Sequence, residues 1–182
     1  VRANDISITD KTLSNYLTAL RRLFIIEDVK AWQPSLRSRT GIRTSDKRHF
    51  VDTSIATAIL ELNPKSVLED FELFGFLFED FCLRDIRVYT ELLRGTVYHY
   101  HDNSNLEADL IIRLHDGRWA AIEVKTGSKE IEEAAENLIT LSNEVNTSKI
   151  GSPSFLMVLT AGQYAYRRED GVYVVPIGCL KP

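Results

Sequence analysis

Cysteine is nearly absent from this chain, with Cys82 and Cys179 the only two in 182 residues. Cys82 falls in an apolar run of helical character, so both are expected as reduced thiols rather than as a disulfide. No apolar stretch approaches the roughly 20 residues needed to span a bilayer. The first residues carry no signal-peptide pattern, and a cytoplasmic location is the expectation by default. A basic excess is also lacking: 22 lysines and arginines face 26 acids, for a formal charge of -4. A chain-wide nucleic-acid footprint is thereby excluded, and any such contact must use a local patch. There is no glycine-rich GK[ST] loop, so ATP binding cannot be assigned to these residues. There is no Gly-x-Ser-x-Gly elbow either, which leaves acyl transfer without its usual nucleophile.

The length suffices for one large domain or two small ones with a real core. The chain opens on Val1 rather than methionine, and Val1–Ile8 reads as the continuation of an existing structure. These residues are therefore expected to be a fragment of a longer protein.

Two parts are expected, 1–63 and 64–182. In the first, Thr9 or Asp10 caps a helix with apolar residues at Leu13, Tyr16, Leu17, Leu20 and Phe24. A strand over Phe24–Ile26 and on toward Trp32, a polar loop around Gly41, and a strand over Arg48–Asp52 follow. Thr53 or Ser54 then caps a helix from Ile55 to Leu62 that stops before Asn63-Pro64. This order reads as a small winged-helix-like module. Its loop carries Arg37, Arg39, Arg43, Lys47 and Arg48 against the single acid Asp46. Such a cluster can contact phosphates, or it is a solvated basic loop, or it faces an acidic partner domain.

The second part begins with a long helix, Ser66 to about Val88, apolar nearly all round and so buried on several sides. Glu79 sits inside it among phenylalanines. Either it lies at the helix edge beside Asp80, or it points at the strands and adds a ligand. The rest reads as strand Val97–His101, two hairpin strands, a helix from Lys129 to Ser142, strand Phe155–Thr160 and strand Val172–Ile177. The helix stripe is Ile131, Ala134, Ala135, Leu138 and Leu141. The fold class is thus α/β (α+β), with an α-β-β-β-α-β order forming a mixed sheet flanked by helices. His99 and His101 are read as exposed polar residues of an alternating strand, with metal ligation the alternative. Tyr98 and Tyr100 are read as core or sheet-face aromatics.

The hairpin holds the chemistry. Asp109 stands on its first strand and Glu123-Val124-Lys125 on its second. An acid followed at a distance by acid-x-lysine is the pattern of metal-dependent phosphodiester hydrolysis: the carboxylates hold a divalent cation, and the lysine steadies developing charge or orients water. Charged residues alternating on the solvent face of a hairpin produce the same pattern by chance. Register separates the two. A two-residue Asp116-Gly117 turn places Asp109 beside Val124. A three-residue loop, His115-Asp116-Gly117 with Gly117 left-handed, pairs Leu114 with Arg118 and Asp109 with Glu123. The sequence predicts the three-residue loop or a bulge.

With Glu79 on the first helix, Asp109 on the second strand and Glu123-Val124-Lys125 on the third, this order resembles the PD-(D/E)xK nuclease superfamily, which includes restriction endonucleases and Holliday-junction resolvases. Ala108 stands where the family pattern has proline. The resemblance implies a restriction-endonuclease-like domain whose catalytic residues are Asp109, Glu123, Lys125 and Glu79. It implies Mg²⁺ or Mn²⁺ held by Asp109, Glu123 and the Val124 carbonyl, with Glu79 joining directly or through water. Nucleic acid, DNA in the first place, is the implied substrate.

A longer resemblance rests on Leu13-x-x-Tyr16-Leu17, Leu20-x-x-Leu23-Phe24, Lys47-x-x-Phe50-Val51-Asp52-Thr53, Gly75-x-x-Phe78-Glu79 and Glu107-Ala108-Asp109. In these the chain is similar to a C-terminal domain of unknown function that follows an AAA+ ATPase module in bacterial and archaeal proteins. The resemblance implies an AAA+ partner module before Val1, where ATP would bind, and a tendency to oligomers. The alternative it leaves is a non-catalytic DNA- or protein-binding regulatory domain of the ATPase.

Overall fold

The structure is a computed structural model that describes residues 9–37 and 40–181. Val1–Ile8 and Arg39 lie outside the described residues. Helix α1 spans Asp10–Arg22, with the Thr9 hydroxyl accepting a hydrogen bond from the Thr12 N–H at 3.2 Å. None of its residues is buried. Phe24 adopts φ 55° and is exposed, so it ends the helix turn and does not open the strand. Strand β1 is Ile26–Val29 and pairs antiparallel with β2, Lys47–Phe50, with Val29 opposite Lys47.

The caps shift the helix starts from their expected places. Helix α2, Thr53–Ile59, is capped by Asp52, whose carboxylate accepts from the Ser54 N–H at 2.8 Å. Asn63-Pro64, read as a stop, opens a further helix: Asn63 and Ser66 form a reciprocal cap for α3, Pro64–Glu69. Asp70 then breaks the long run by capping α4, Phe71–Leu92, through the Leu73 N–H at 3.0 Å.

The strands that follow are β3 (Gly95–His101), β4 (Glu107–Leu114) and β5 (Trp119–Lys125). Helix α5 (Ile131–Glu144) and the short α6 (Thr147–Ile150) lead to β6 (Leu156–Thr160), β7 (Tyr166–Arg167) and β8 (Tyr173–Pro176). Six strands form one mixed sheet in the order β3-β4-β5-β6-β8-β7. Pairing is antiparallel from β3 to β5, parallel from β5 through β6 to β8, and antiparallel again at β7. The mixed α/β class is as the sequence implies. Among the described residues no helix is long and apolar enough to cross a membrane.

Two cores cover the two faces of the sheet. Phe78, Cys82, Leu83 and Ile86 of α4 pack on Leu110, Ile122, Val124 and Leu159. Ala134, Ala135, Leu138 and Leu141 of α5 pack on Ile111, Trp119, Ala121 and Val158. The stretch after β1 joins this second core through Trp32, whose ring centroid lies 4.8 Å from that of Trp119. Its backbone runs along the edge of β3, with the Trp32 N–H donating to the His99 carbonyl at 2.7 Å. That is why β1 stops at Val29 instead of reaching Trp32.

The hairpin register is the predicted one. The Leu114 N–H donates to the Arg118 carbonyl at 2.9 Å, and Leu110 stands opposite Ile122. His115, Asp116 and Gly117 form the loop, with Gly117 at φ 89°. A Cβ there would meet open space, so the backbone angle alone demands glycine. Gly117→Ala is expected to destabilise the fold by about 1–2 kcal/mol through left-handed strain, read as a lowered urea midpoint with an unchanged m-value.

Candidate functional site

Asp109 lies where β4 departs from regular pairing. Tyr98 of β3 faces Ile111, yet Tyr100 faces Ala108, so β4 carries an extra residue across Asp109–Leu110. Paired residues between β4 and β5 end at Leu110 and Ile122. Beyond them the Val124 N–H donates to Asp109 Oδ2 at 2.8 Å. A side-chain carboxylate thus takes a donor that the backbone ladder would otherwise use, and this fixes Asp109 against β5.

Glu123, one residue earlier on β5, is 1% exposed, and neither of its carboxylate oxygens has a hydrogen-bond partner. Lys125 Nζ stands 3.3 Å from Glu123 Oε2, near enough for Coulomb attraction but without hydrogen-bond geometry. Burial first, and the Asp109 charge second, push the Glu123 carboxyl well above the ordinary glutamate range. Burial would depress the Lys125 ammonium, but the Glu123 and Asp109 carboxylates outweigh it and raise its pKa.

Glu79 on α4 points toward the strands rather than out at the helix edge. Lys47 Nζ donates to Glu79 Oε1 at 2.6 Å and lies 3.6 Å from Asp109 Oδ1. Burial, then the nearby Asp109 charge, raise the Glu79 carboxyl despite that ammonium. Lys47, expected with the basic loop, thus belongs to the acid cluster. Nothing local in the sequence marks it, because its partners stand on α4 and β4. Glu79, Asp109, Val124, Lys125 and Lys47 share an open cleft of about 390 Å³, rimmed by Glu72, Glu107 and Glu130.

The other described basic residues of the loop, Arg37, Arg43 and Arg48, do not converge. Arg37 donates to Thr147 at 2.7 Å at the start of α6, Arg43 to Asn105 at 2.8 Å in the turn between β3 and β4, and Arg48 lies 3.7 Å from Asp28. His99 is buried, not exposed, because the stretch before β2 covers the edge of β3 and places the Ser45 carbonyl 3.1 Å from its Nε2. Tyr100 is buried as expected, its hydroxyl donating to Asp102 at 3.1 Å. Both cysteines are free thiols.

Among the described residues no group of three histidine, cysteine, aspartate or glutamate side chains is arranged to hold a metal ion. Two carboxylates and Lys47 define the centre instead. The donor set still fits a hard divalent cation: Glu123 presents two buried oxygens without aligned hydrogen bonds beside Asp109, and Mg²⁺ is commonly held by one or two carboxylates with waters completing its shell.

Glu123 also sets a pH dependence. Its folded-state pKa is raised, so its contribution to stability is full at acidic pH and is lost as pH climbs toward the folded value. In EDTA the wild type is expected to lose thermal stability between pH 5 and pH 8. Glu123→Gln should flatten that loss and melt higher than wild type at pH 8. A variant that melts lower at both pH values would contradict the buried-charge account.

No curated protein matches the chain. Among solved structures, the chain is similar to one from Thermococcus gammatolerans, described as a refined half-complex from a tetradecameric assembly of McrB AAA+ hexamers with bound McrC. Identity is 9%, the TM-score is 0.38, and the match covers 97% of this chain and 64% of the other. The N-terminal residues 2–66 match a domain of unknown function (DUF8612). Residues 74–180, more than half of the chain and all of the cluster's acids, match the domain of unknown function DUF4143, and the chain belongs to that family.

Proposed function

We propose that this chain is the C-terminal region of an AAA+ ATPase and carries a metal-dependent nuclease-like domain acting on nucleic acid, with DNA the first substrate. The observation that carries the reading is Glu123: a buried carboxylate with neither oxygen in an aligned hydrogen bond, beside Asp109 and ion-paired with Lys125 at 3.3 Å. Such a group is costly to keep unless something cationic uses it. Asp109, Glu123 and the Val124 carbonyl would hold Mg²⁺ or Mn²⁺, and Glu79, already bonded to Lys47, would join through water. When bound, the ion would supply Lewis-acid polarisation of a phosphate and a more acidic water.

The chain's own groups do the rest. The Val124 N–H keeps Asp109 oriented across the cleft. Lys125 carries a raised pKa, so its ammonium stays charged at neutral pH and can steady an anionic phosphate or direct a water toward it. The cleft itself is acidic, with Glu72, Glu79, Glu107, Asp109 and Glu130 against Lys47 and Lys125. Alone it repels a polyanion, which supports a site whose substrate arrives together with divalent cation.

The rival reading is a non-catalytic DNA- or protein-binding regulatory domain of the ATPase. It is supported by the exposed Arg43 and Arg48, which remain available for phosphate contact at the surface. The two readings separate in one assay. Wild type with Mn²⁺ is expected to cleave plasmid or linear DNA, and Asp109→Ala and Lys125→Ala to lose about 10²–10³-fold of that rate, with circular dichroism unchanged. DNA binding without cleavage, abolished by Arg43→Ala/Arg48→Ala and indifferent to Asp109→Ala, is the outcome that selects the regulatory reading.

A further inference from the structure

The basic residue closest to the acid cluster comes from the N-terminal ribbon, not from the strand that carries Glu123. Lys47 is held in place from several directions. It pairs with buried Val29 across the ribbon. Two residues on, His49 Nδ1 stands 2.5 Å from Asp80 Oδ1, and the Phe50 N–H donates to Asp80 Oδ2 at 3.2 Å. Arg87 of α4 reaches Glu27 of β1 at 2.6 Å. The ribbon is thereby stitched to α4, and Lys47, the first residue of β2, delivers an ammonium between Glu79 and Asp109.

The acids are divided between two cations as a result. Glu79 Oε1 and Asp109 Oδ1 face Lys47, while Glu123 faces Lys125 and keeps both oxygens free of hydrogen bonds. A lysine ammonium is a compact point charge on a flexible stem, and it fills the space between two carboxylates as a metal ion would. Both carboxylates stand within ion-pair distance of that ammonium, Glu79 at 2.6 Å and Asp109 at 3.6 Å.

We propose that Lys47 is the built-in second cation of this site: it occupies the Glu79–Asp109 position and limits the cleft to a single divalent ion at Asp109–Glu123. The inference rests on the metal reading above and adds to it the number of ions and the residue that sets that number. Lys47 acts here through the carboxylates it holds, as a positioning residue. Because Lys47 lies in the N-terminal region and the acids in the DUF4143 region, the count belongs to the two regions jointly.

The test is Mn²⁺ binding by the full 182-residue chain, with free ion counted by electron paramagnetic resonance. Wild type is expected to take one Mn²⁺ and Lys47→Met two, while Lys47→Arg, which keeps the charge, returns to one. In EDTA, Lys47→Met should melt lower than wild type, and Mn²⁺ should raise its melting temperature by more than it raises that of wild type. If Lys47→Met is unfolded without metal, Mn²⁺ is expected to restore the wild-type circular dichroism, since the ion replaces the ammonium; failure to restore it overturns the proposal. A folded Lys47→Met that binds one ion, or a wild type that binds two, also overturns it while leaving the metal reading standing. A wild type that binds none overturns the metal reading and this inference together.

Discussion

A carboxylate shut away from water with no aligned hydrogen bond is a standing cost, and Glu123, with only the Lys125 ion pair at 3.3 Å, is such a group. Every other element of the centre can be understood as holding that side chain where it is. Parallel pairing with β6 on one side and antiparallel pairing with β4 on the other bury β5 along nearly its whole length. Glu123 therefore cannot turn outward without breaking a central strand. The cost is moderated by proton uptake, because burial and the Asp109 charge both favour the neutral form. A fold that keeps such an arrangement accepts instability at one point.

The surroundings distribute charge so that the acids can coexist. Asp109 divides its two oxygens between the Val124 N–H and the Lys47 ammonium. Glu79 stands on α4 at the margin of its apolar contacts, with Phe78 buried one residue before it. The capping of α4 at Asp70 matters here, because it fixes where the helix starts and so which residues face the sheet. Asp80, Arg84 and Arg87 follow at helical spacing and meet His49, Asp52 and Glu27. One polar stripe of α4 therefore binds the N-terminal ribbon while the opposite stripe, from Phe78 to Ile86, covers the sheet.

Much of this was legible in the sequence, and for identifiable reasons. Asp116-Gly117 between two alternating runs determined the hairpin, and the requirement that Leu110 and Ile122 be buried together selected the three-residue loop. Glu79 was conspicuous because a carboxylate amid phenylalanines has no local justification. The irregularity at Asp109–Leu110 was not legible, since an extra residue in β4 shows only against β3. The helix break at Asp70 is hidden because apolar residues at helical spacing, Val67, Leu68, Phe71 and Phe74, run straight through it, and capping by a single carboxylate decides it. Lys47 was read with its sequence neighbours Arg43 and Arg48, and only tertiary contact separates it from them. His49 likewise meets its partner only through the fold, Asp80 being 31 residues away.

The placement of Lys47 bears on how the two regions of the chain depend on each other. If the N-terminal ribbon were an independent appendage, its contact with the second region would be expected at exposed polar side chains and would vary without consequence. Instead it inserts Trp32 against Trp119 in one core, Val29 into the other, and an ammonium into the acid cluster. Removing the ribbon would expose apolar surface on both sides of the sheet and leave Glu79 with its charge uncompensated. The cleft is therefore a property of the joined regions, and a movement of the ribbon relative to α4 would change the charge balance of the site before it changed any strand of the sheet.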